Sequence, residues 1–523
     1  MNTVTGTRTI PAFLEFHASS RPDATAVMAE TSAEVLQSLT WSALHSLVQQ
    51  ASNWIYSQGL RKGDGIVLHI PNSLELYLLW LAAASTGTVA VPVDPRCTAP
   101  ELRHIVIHSD ARLLVTHEAG QDIAHTACAG AGEIVRVVSA SPARPFSDSV
   151  LGEEIASQPC STIPHEPHPL DVVAMLYTSG TTGQPKGVML THAAYLYGAE
   201  VFARSTALTQ QDRHLIALPM HHAAAQCHAI TPSLVTGASI AIMERFSASR
   251  FMEQATRHRA TRAALFAAPL RMLLRQHAGV AVPESPLRLV TFAQNLTHEE
   301  LSEWESRFRV PLLQLWGMTE TIGLPLMVPL HGPQNNMCMG LPVAGYEVKL
   351  VDESGNPVPP GTAGELIVRA NPGWTVTSGY YKNPAATAGL IRDSWLWTGD
   401  RALQDANGEF HFVGRSREMI KRGGENISPL EVEEALKAHP GVQDAAVVGV
   451  PDPLRDESLV AFVILRPANE TTTESLQEWC RQKLSAFKVP GEFQFCAEFP
   501  RTSVGKTQRH LLRESYLASK MNA

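Results

Sequence analysis

The chain has few charged residues: Asp, Glu, Lys and Arg form 18% of its 523 positions, whereas globular proteins average about 25%. Disordered chains are rich in charge and poor in apolar residues, so the 44% hydrophobic content excludes disorder as the main state. An excess of positive charge is also absent, because 42 Lys and Arg stand against 50 Asp and Glu, a net charge of −8. We therefore expect no nucleic acid as the main partner, and the length predicts two or more domains.

The seven cysteines include no CxxC pair, which argues against a disulfide framework or a structural zinc site and favours a reducing compartment. Residues 1–11 lack the basic-then-apolar pattern of a signal peptide. The most apolar segment, residues 76–84, is far shorter than the roughly 20 residues that span a bilayer. The sequence therefore predicts a cytoplasmic protein without a membrane span.

What the sequence does contain is an alternation of helical and strand patterns. Residues 40–59 have the apolar period of a helix, and the apolar stretch at residues 74–85 is also predicted to be a helix. Residues 65–70 have the pattern of a buried strand, and residues 89–93 are predicted to form another strand. This alternation predicts an α/β fold in which helices cover parallel sheets.

The pattern changes after about residue 340. Short strands are predicted at residues 347–351, 365–369 and 409–413, with turn-rich connections between them. They predict a β-rich subdomain over about residues 340–415.

The last part of the chain has the pattern of a small α+β domain. Ser428-Pro429-Leu430-Glu431 has the residues of a capping box, which predicts the start of a helix. Strands are predicted at residues 445–450 and 459–465. We place the N-terminal domain at residues 1–416 and the C-terminal domain at residues 417–523.

The first chemical motif is a loop rich in Gly, Ser and Thr, which reads Thr178-Ser179-Gly180-Thr181-Thr182-Gly183-Gln184-Pro185-Lys186-Gly187. A strand predicted at residues 172–177 precedes it, and a helix is predicted from about Thr191. Glycines let the backbone approach a ligand while hydroxyls and a lysine donate hydrogen bonds, so the pattern favours an anion. Its spacing differs from the P-loop pattern, and by itself it is also typical of a solvated loop.

Four more motifs follow in order: Trp316-Gly317-Met318-Thr319-Glu320-Thr321, Trp397-Thr398-Gly399-Asp400, Gly414-Arg415 with Ile420-Lys421-Arg422-Gly423-Gly424-Glu425-Asn426-Ile427, and Pro500-Arg501-Thr502-Ser503-Val504-Gly505-Lys506. Over nearly the whole chain, the sequence resembles the adenylate-forming enzymes, which include acyl-CoA synthetases, aryl-CoA ligases, peptide-synthetase adenylation domains and firefly luciferase. Residues 420–426 and Asn295-Leu296 are most similar to the carnitine/crotonobetaine–CoA ligase branch.

The resemblance implies a site for ATP and AMP. The residues it assigns there are Thr178, Ser179, Gly180, Thr181, Thr182, Gly183, Lys186, Asn295, Trp316, Gly317, Met318, Asp400 and Arg415. By the same resemblance, Glu320 would bind Mg²⁺ and Thr319 would contact the α-phosphate as catalytic residues. Taken alone, a single Glu is more often a helix cap or a solvated charge.

The resemblance also implies a mobile C-terminal domain that turns about a hinge at Arg417. In one position it would deliver the catalytic Lys506, whose ammonium would bridge the substrate carboxylate and the α-phosphate. In the other position, Lys421, Gly423 and Gly424 would lie on the coenzyme A side of the site.

His222 matches the family's histidine at the mouth of the acyl pocket, and Ala223, Gln226 and Phe292 would line that pocket. A structural core histidine is the alternative for His222, and a zinc site with the neighbouring histidines lacks a fourth ligand. The sequence departs from the family at Phe292, where a Gly is usual, so Phe292 is assigned to the acyl pocket and Asn295 to adenine or a turn. Trp316 replaces the commoner Tyr, and Arg417 replaces Asp or Lys.

The predicted reaction has two halves. A carboxylic acid reacts with MgATP to give an acyl-adenylate and pyrophosphate, and coenzyme A then displaces AMP to give a thioester. Residues 219–232 contain no Asp or Glu to pair with an ammonium, so α-amino acids are disfavoured. The small side chains at Ala223 and its neighbours favour a medium-chain, bulky or aryl acid. A carnitine-like cation would need the aromatic faces of Phe266 or Phe292.

Two alternatives stay open. One is an adenylating enzyme that loads the phosphopantetheine of an acyl carrier protein. The other is a different class, either a luciferase-like oxygenase or an inactive nucleotide-binding scaffold. The sequence is compatible with a monomer or a homodimer.

Overall fold

The computed structural model describes residues 6–30, 35–130, 136–140, 145–161, 165–178, 185–277, 282, 284–415, 419–422, 425–452, 456–467, 471–484, 488–502 and 505–521. None of the described helices is both long enough and apolar enough to cross a membrane.

The α-helices are α1 (Ile10–Ser20), α2 (Trp41–Ser57), α3 (Leu74–Thr86), α4 (Ala99–His108), α5 (Gln121–Cys128), α6 (Val150–Ala156), α7 (His192–Ser205), α8 (Ala223–Ala225), α9 (Thr231–Thr236), α10 (Phe251–Arg257), α11 (Ala267–Gln276), α12 (His298–Phe308), α13 (Pro384–Leu390), α14 (Pro429–Lys437), α15 (Thr473–Lys483) and α16 (Arg509–Met521). Short 3-10 turns lie at Glu118–Gly120, Phe146–Asp148 and Thr319–Thr321, and a π-helical turn lies at Gln226–Ile230.

The strands are β1 (Thr25–Glu30), β2 (Leu36–Thr40), β3 (Gly65–His69), β4 (Val89–Pro92), β5 (Ala111–His117), β6 (Arg136–Ala140), β7 (Val172–Thr178), β8 (Lys186–Thr191), β9 (Arg213–Ile216), β10 (Ser239–Ile242), β11 (Arg262–Phe266), β12 (Leu289–Ala293), β13 (Leu312–Trp316), β14 (Leu326–Met327), β15 (Leu341–Pro342), β16 (Val348–Val351), β17 (Gly364–Arg369), β18 (Gly379–Tyr380), β19 (Ile391–Arg392), β20 (Trp395–Gln404), β21 (Phe410–Arg415), β22 (Ile420–Arg422), β23 (Glu425–Ile427), β24 (Val442–Asp452), β25 (Asp456–Leu465) and β26 (Glu492–Phe495).

The helices and strands predicted at the start of the chain are confirmed as α2, β3, α3 and β4. Helix α2 begins where the hydroxyl oxygen of Thr40 accepts a hydrogen bond from the backbone N–H of Ala43 (3.2 Å), which satisfies one of the free donors at a helix start. Its apolar positions then recur on one face, so that Leu44, Val48 and Ile55 are buried.

Two large sheets are mainly parallel, as the alternation predicted. One has nine strands in the order β15-β14-β13-β12-β11-β9-β10-β1-β2, and the other has seven in the order β18-β8-β7-β4-β3-β5-β6. Their inner strands pair in parallel, while antiparallel pairs occur towards the edges, at β1–β2, β13–β14–β15 and β7–β8–β18. The antiparallel pairs β1–β2 and β7–β8 are joined by short connections, because an antiparallel pair needs no crossover helix.

The core of the nine-stranded sheet follows from the alternation of side chains along each strand. On β12, Val290 and Phe292 join one buried cluster, whereas Leu289 joins another. The first cluster also contains Trp304 and Phe308 of α12, whose rings stack 4.1 Å apart. This strand is therefore buried on both faces, as expected of a parallel sheet between helices.

The predicted β-rich segment is confirmed as a five-stranded sheet in the order β16-β17-β20-β19, with β21 beside β20. A second five-stranded sheet, in the order β23-β22-β25-β24 with β26 beside β25, carries helices on both faces. One buried cluster of this sheet contains residues of α14 and α15, and the other contains Leu512 and Tyr516 of α16. The end of the chain is therefore α+β, as predicted.

The chain forms two compact units, Met1–Val348 with Val368–Trp397, and Lys349–Ile367 with Thr398–Ala523. The predicted domain boundary at residues 416–417 lies outside the described residues and stays a prediction.

The capping box predicted at Ser428 is wrong, although the helix it was expected to open is present as α14. The Ser428 side chain accepts no hydrogen bond from that helix, and its hydroxyl donates to the carbonyl oxygen of Val413. Glu431 likewise accepts from the ammonium of Lys488 (2.6 Å). Ser428 and Glu431 thus bind residues outside α14 and do not cap it.

Candidate active site

The Gly/Ser/Thr-rich motif connects two antiparallel strands, and Thr178 at the end of β7 pairs with Lys186 at the start of β8. The predicted strand and helix are confirmed as β7 and α7, but the expectation that the loop leads directly into the helix is wrong, because β8 lies between them. A helix N-terminus at the loop, which was one argument for an anion, is absent from the described part of this segment. Ser179, Gly180, Thr181, Thr182 and Gly183 lie outside the described residues, and their predicted role stays a prediction.

The motif that contains Glu320 is a tight turn at the end of β13. Trp316 is the last residue of this buried strand, and Thr319, Glu320 and Thr321 form one 3-10 turn. The hydroxyl of Thr321 accepts from the N–H of Met318 (3.1 Å) and donates to the carbonyl oxygen of Met318 (2.9 Å). Glu320 itself is only 6% exposed. The turn thus holds a carboxylate in a buried position.

Lys186 and Glu320 both contact Tyr380, a residue that was not predicted from the sequence. The hydroxyl of Tyr380 donates to Oε1 of Glu320 (2.8 Å), and the ammonium of Lys186 lies 4.9 Å from the centre of the Tyr380 ring. The backbone N–H of Thr377 also donates to the carbonyl oxygen of Glu320 (2.8 Å). Two charged groups from separate motifs therefore lie around one aromatic side chain. The sequence signal for Tyr380 is weak, since it consists of a Tyr after a Gly between two patterned segments.

Glu320 fits the Mg²⁺ site that the sequence predicts. Mg²⁺ usually binds proteins through one or two carboxylates and takes its other ligands from waters and substrate phosphates. A single buried carboxylate near a lysine suits a metal that arrives with a nucleotide. Among the residues that the structure describes, one trio has the spacing of a complete metal-ligand group, Asp405, Glu409 and His411, and it includes neither Glu320 nor the histidines of residues 221–228.

The segment predicted to line the acyl pocket is helical but irregular. It begins with α8 and continues as the π-helical turn before α9, a departure from regular helix that is common at functional sites. Nδ1 of His222 accepts from the N–H of Ala224 (3.2 Å), and the ring lies edge-on to Phe266 at 5.5 Å between centroids. Burial lowers the pKa of His222 to about 4. His222 is therefore neutral near pH 7, with its proton on Nε2.

The amide of Gln226 makes one hydrogen bond through its nitrogen and one through its oxygen. It donates to the carbonyl oxygen of Met220 (2.7 Å) and accepts from the hydroxyl of Tyr195. Ala223 is 7% exposed and Gln226 is 2% exposed. Gln226 thus has a structural role in holding this segment, and its predicted contact with an acyl group stays a prediction.

Phe292 lies on strand β12, and Asn295 lies in the loop that follows this strand. Phe292 is 1% exposed and packs in the core with α11 and α12, so its place in an acyl pocket stays a prediction. The side-chain oxygen of Asn295 accepts from the amide of Gln314 (3.3 Å), and the backbone oxygen of Asn295 accepts from Arg271 (2.8 Å). Gln294 between them has φ of 77°, a left-handed conformation that is rare outside glycine and often marks functional loops.

In the second compact unit, Asp400 of β20 stands directly opposite Arg415 of β21 in the antiparallel register. Asp400 is 4% exposed. The pairing brings two of the residues predicted for the ATP and AMP site to one position of the sheet. The side chains of Arg415 and Lys421, and the whole of Arg417, Gly423 and Gly424, lie outside the described residues, so their predicted roles stay predictions.

Lys506 is exposed and ends a turn that its own backbone helps to close. Its N–H donates to the hydroxyl of Thr502 (3.1 Å), and its carbonyl oxygen accepts from the N–H of Thr502 (2.8 Å). Arg501 donates to the carbonyl oxygen of Gly505 (3.0 Å) and forms an ion pair with Asp444. The turn is therefore tied to β24, while the position of the lysine leaves its side chain at the surface.

Comparisons with known proteins agree on the family. A model of the AMP-binding enzyme family matches residues 14–381, and a model of the AMP-binding enzyme C-terminal domain matches residues 431–506. The crotonobetaine/carnitine–CoA ligase of Proteus mirabilis is 34% identical over 496 residues, which are 93% of this chain and 95% of that protein.

Solved structures of CoA ligases share the fold over almost the whole chain. ATP-bound MatB from Rhodopseudomonas palustris has a TM-score of 0.87 at 26% identity, over 97% of this chain and 99% of MatB. The anthranilate CoA ligase AuaEII, solved with anthranoyl-AMP, also has a TM-score of 0.87 at 26% identity, over 98% of both chains. With the order of motifs and the match of both family models, these similarities lead to one conclusion: the chain belongs to the AMP-binding enzyme family.

Proposed function

We propose that the protein is an ATP-dependent acyl-CoA ligase, which activates a carboxylic acid as its acyl-adenylate and then transfers the acyl group to coenzyme A. The observation that carries this proposal is the meeting of Lys186 and Glu320 at Tyr380. A bound triphosphate requires a cation to offset its charge and a carboxylate to hold its metal ion. Lys186 and Glu320, from two separate motifs, are side chains of these two kinds.

In the first half-reaction, a carboxylate oxygen of the acid bonds to the α-phosphorus of ATP while the bond to pyrophosphate breaks. Lys186 offsets charge on the phosphates, and Glu320 would hold the Mg²⁺ that neutralises the rest. Lys506 is proposed to contact the substrate carboxylate and the α-phosphate, because an ammonium there reduces the repulsion between two anions.

In the second half-reaction, the thiol sulfur of coenzyme A bonds to the acyl carbon. The bond to AMP breaks, AMP leaves with the electron pair and the thiol proton passes to solvent. We propose that the domain at residues 417–523 turns about Arg417 between the halves, so that Lys421, Gly423 and Gly424 replace Lys506 at the site. Each half then has its own set of side chains.

The acid is proposed to be medium-chain, bulky or aryl. Residues 219–232 contain no carboxylate, and Asp94, which lies 3.9 Å from His221, is held by the guanidinium of Arg96 (2.9 Å). An α-ammonium placed there would have no dedicated anionic partner and would cost several kcal/mol to bury. The neutral His222 is suited to an apolar acyl group beside it, since no charge is desolvated when the acyl group binds.

A betaine is the second candidate acid, because relatives that are 32–34% identical are named crotonobetaine/carnitine–CoA ligases. A quaternary ammonium binds aromatic faces without a carboxylate. Phe266, which lies against His222, is the aromatic ring that could supply such a face.

The test is ATP–pyrophosphate exchange over a panel of medium-chain, aryl and betaine acids, followed by thioester formation with free coenzyme A. We expect exchange with at least one acid and a thioester from the same acid. If an acid supports exchange but gives no thioester with coenzyme A, and a carrier protein is acylated, then the acceptor is the carrier protein and not coenzyme A. No exchange with any acid would favour an inactive nucleotide-binding scaffold.

A further inference from the structure

The position of Tyr380 is fixed from several directions. Its short strand β18 pairs with β8, with Tyr380 opposite Val188. Tyr380 is partly buried and packs against a small core cluster, as does Met318, which precedes the turn with Glu320. The backbone N–H of Tyr380 donates to the hydroxyl of Thr387 (3.0 Å). The backbone of Tyr380 is therefore held in place beside the turn that contains Glu320.

Tyr380 makes its two contacts through chemically different parts of its side chain, the hydroxyl and the ring. The hydroxyl donates to a carboxylate oxygen of Glu320, which fixes the plane of that carboxylate. The ring face, which is negative, attracts the ammonium of Lys186 without taking up its charge. Lys186 is half-buried, so the attraction is screened less than it would be at the surface.

We propose that Tyr380 is a positioning residue, which orients Glu320 for a divalent metal and holds Lys186 beside it for a phosphate. The proposal rests on the proposed function of Lys186 and Glu320. Hydrogen-bond partners of metal-binding side chains typically change metal affinity about 10- to 100-fold when they are removed. Tyr380 would thus couple the metal and the lysine through a single side chain.

The test uses two variants of Tyr380 and a matched control. Tyr380→Phe removes the hydroxyl and keeps the ring, whereas Tyr380→Leu removes both. Tyr381→Phe is the control, since it removes the neighbouring hydroxyl, which donates to Asp110 (2.7 Å). The probe is an ATP analogue with a methylene group between its α- and β-phosphates, whose binding is measured by calorimetry at increasing Mg²⁺ and in EDTA.

We expect Tyr380→Phe to need about tenfold more Mg²⁺ for half-maximal binding of the analogue, with binding in EDTA unchanged. Tyr380→Leu should show the same metal defect and also bind the analogue about threefold more weakly in EDTA, because Lys186 loses its aromatic face. Tyr381→Phe should match the wild type in both measurements.

Tyr380→Phe with the Mg²⁺ requirement of the wild type would overturn the orienting role. Equal binding by the Phe and Leu variants in EDTA would overturn the role of the ring. Melting temperatures show whether the Leu variant folds. If it does not, Tyr380→Trp, which keeps an aromatic face, replaces it in the comparison. The Trp variant should bind the analogue in EDTA as the Phe variant does, and weaker binding would overturn the role of the ring. Failure of the proposed function is distinguishable, since it would appear as absent turnover in the wild type, whereas these comparisons need only analogue binding.

Discussion

Gly317 and Gly323 face each other across the turn that carries Glu320. A Cβ atom added to Gly317 would lie 2.3 Å from the carbonyl oxygen of Gly323, a distance that side-chain carbons do not adopt. The turn can close around Thr319–Thr321 only because position 317 has no side chain. Gly317, which the sequence assigns to nucleotide binding, is thus also required for the shape of the turn.

Gly317→Ala should therefore lower stability and activity together. The clash is with backbone, which cannot rotate away, so we expect a loss of about 2–3 kcal/mol in the free energy of unfolding. Gly389→Ala is the matched control, because Gly389 lies in α13 and a Cβ there meets nothing within 4 Å. It should stabilise by about 0.5–1 kcal/mol. Denaturant titrations of both variants check this, and equal effects at the two sites would contradict the close approach.

Glu320→Gln should reduce ATP–pyrophosphate exchange about 10²- to 10³-fold, since it removes the proposed metal-binding charge while keeping the shape. The Tyr380 hydroxyl can still donate to the amide oxygen, so the fold should be preserved. Exchange rates at varied Mg²⁺ measure the effect. Glu353→Gln, in an exposed turn, is the control, and a loss of the same size there would argue against a specific role for Glu320.

Lys506→Ala should abolish adenylation yet leave thioester formation from a supplied acyl-adenylate nearly unchanged. The reason is that its ammonium is proposed to act only where the carboxylate and the α-phosphate meet. The two half-reactions are assayed separately, with Lys483→Ala, another exposed lysine of the same unit, for comparison. Comparable losses in both halves would count against the exchange of side chains between steps.

His214→Phe should make the protein less sensitive to acid. His214 is 1% exposed, and among the described residues its ring nitrogens have no hydrogen-bond partner. Burial, assisted by Arg262, lowers the pKa of His214 to about 3, whereas in the unfolded chain it is about 6.5.

The unfolded state of the protein therefore takes up the proton first as pH falls. The contribution of His214 to stability is complete above about pH 6.5 and is lost as pH falls towards 3. We expect the Phe variant to lose up to about 2 kcal/mol less than the wild type between pH 7.5 and pH 5. Unfolding titrations at the two pH values measure this, and identical losses would show that His214 does not contribute to the acid sensitivity.

Local patterns were sufficient where a segment was either clearly periodic or continuously apolar. Helix α2 follows from its hydrophobic period, because burying one face of a long segment outweighs other local preferences. Helix α3 and strands β3 and β4 follow from continuous apolar runs, whose residues are almost all buried. The capping box at Ser428 is not formed, and its hydroxyl is instead directed to the carbonyl oxygen of Val413, a residue that no local pattern places beside it. Strand β8 was missed because it leads directly into α7, with no residue between Thr191 and His192 to mark its end.

The sequence by itself determined the family, the order of the motifs and the α/β class, because these depend on residue types at short spacing and on period. Only the tertiary structure decided that Tyr380 stands between Lys186 and Glu320, and that Gln226 is occupied by Met220 and Tyr195. Tyr380 and Glu320 are separated by 60 positions in the chain. Contacts at such separation arise from how strands pair and pack, and no local pattern of residues records them.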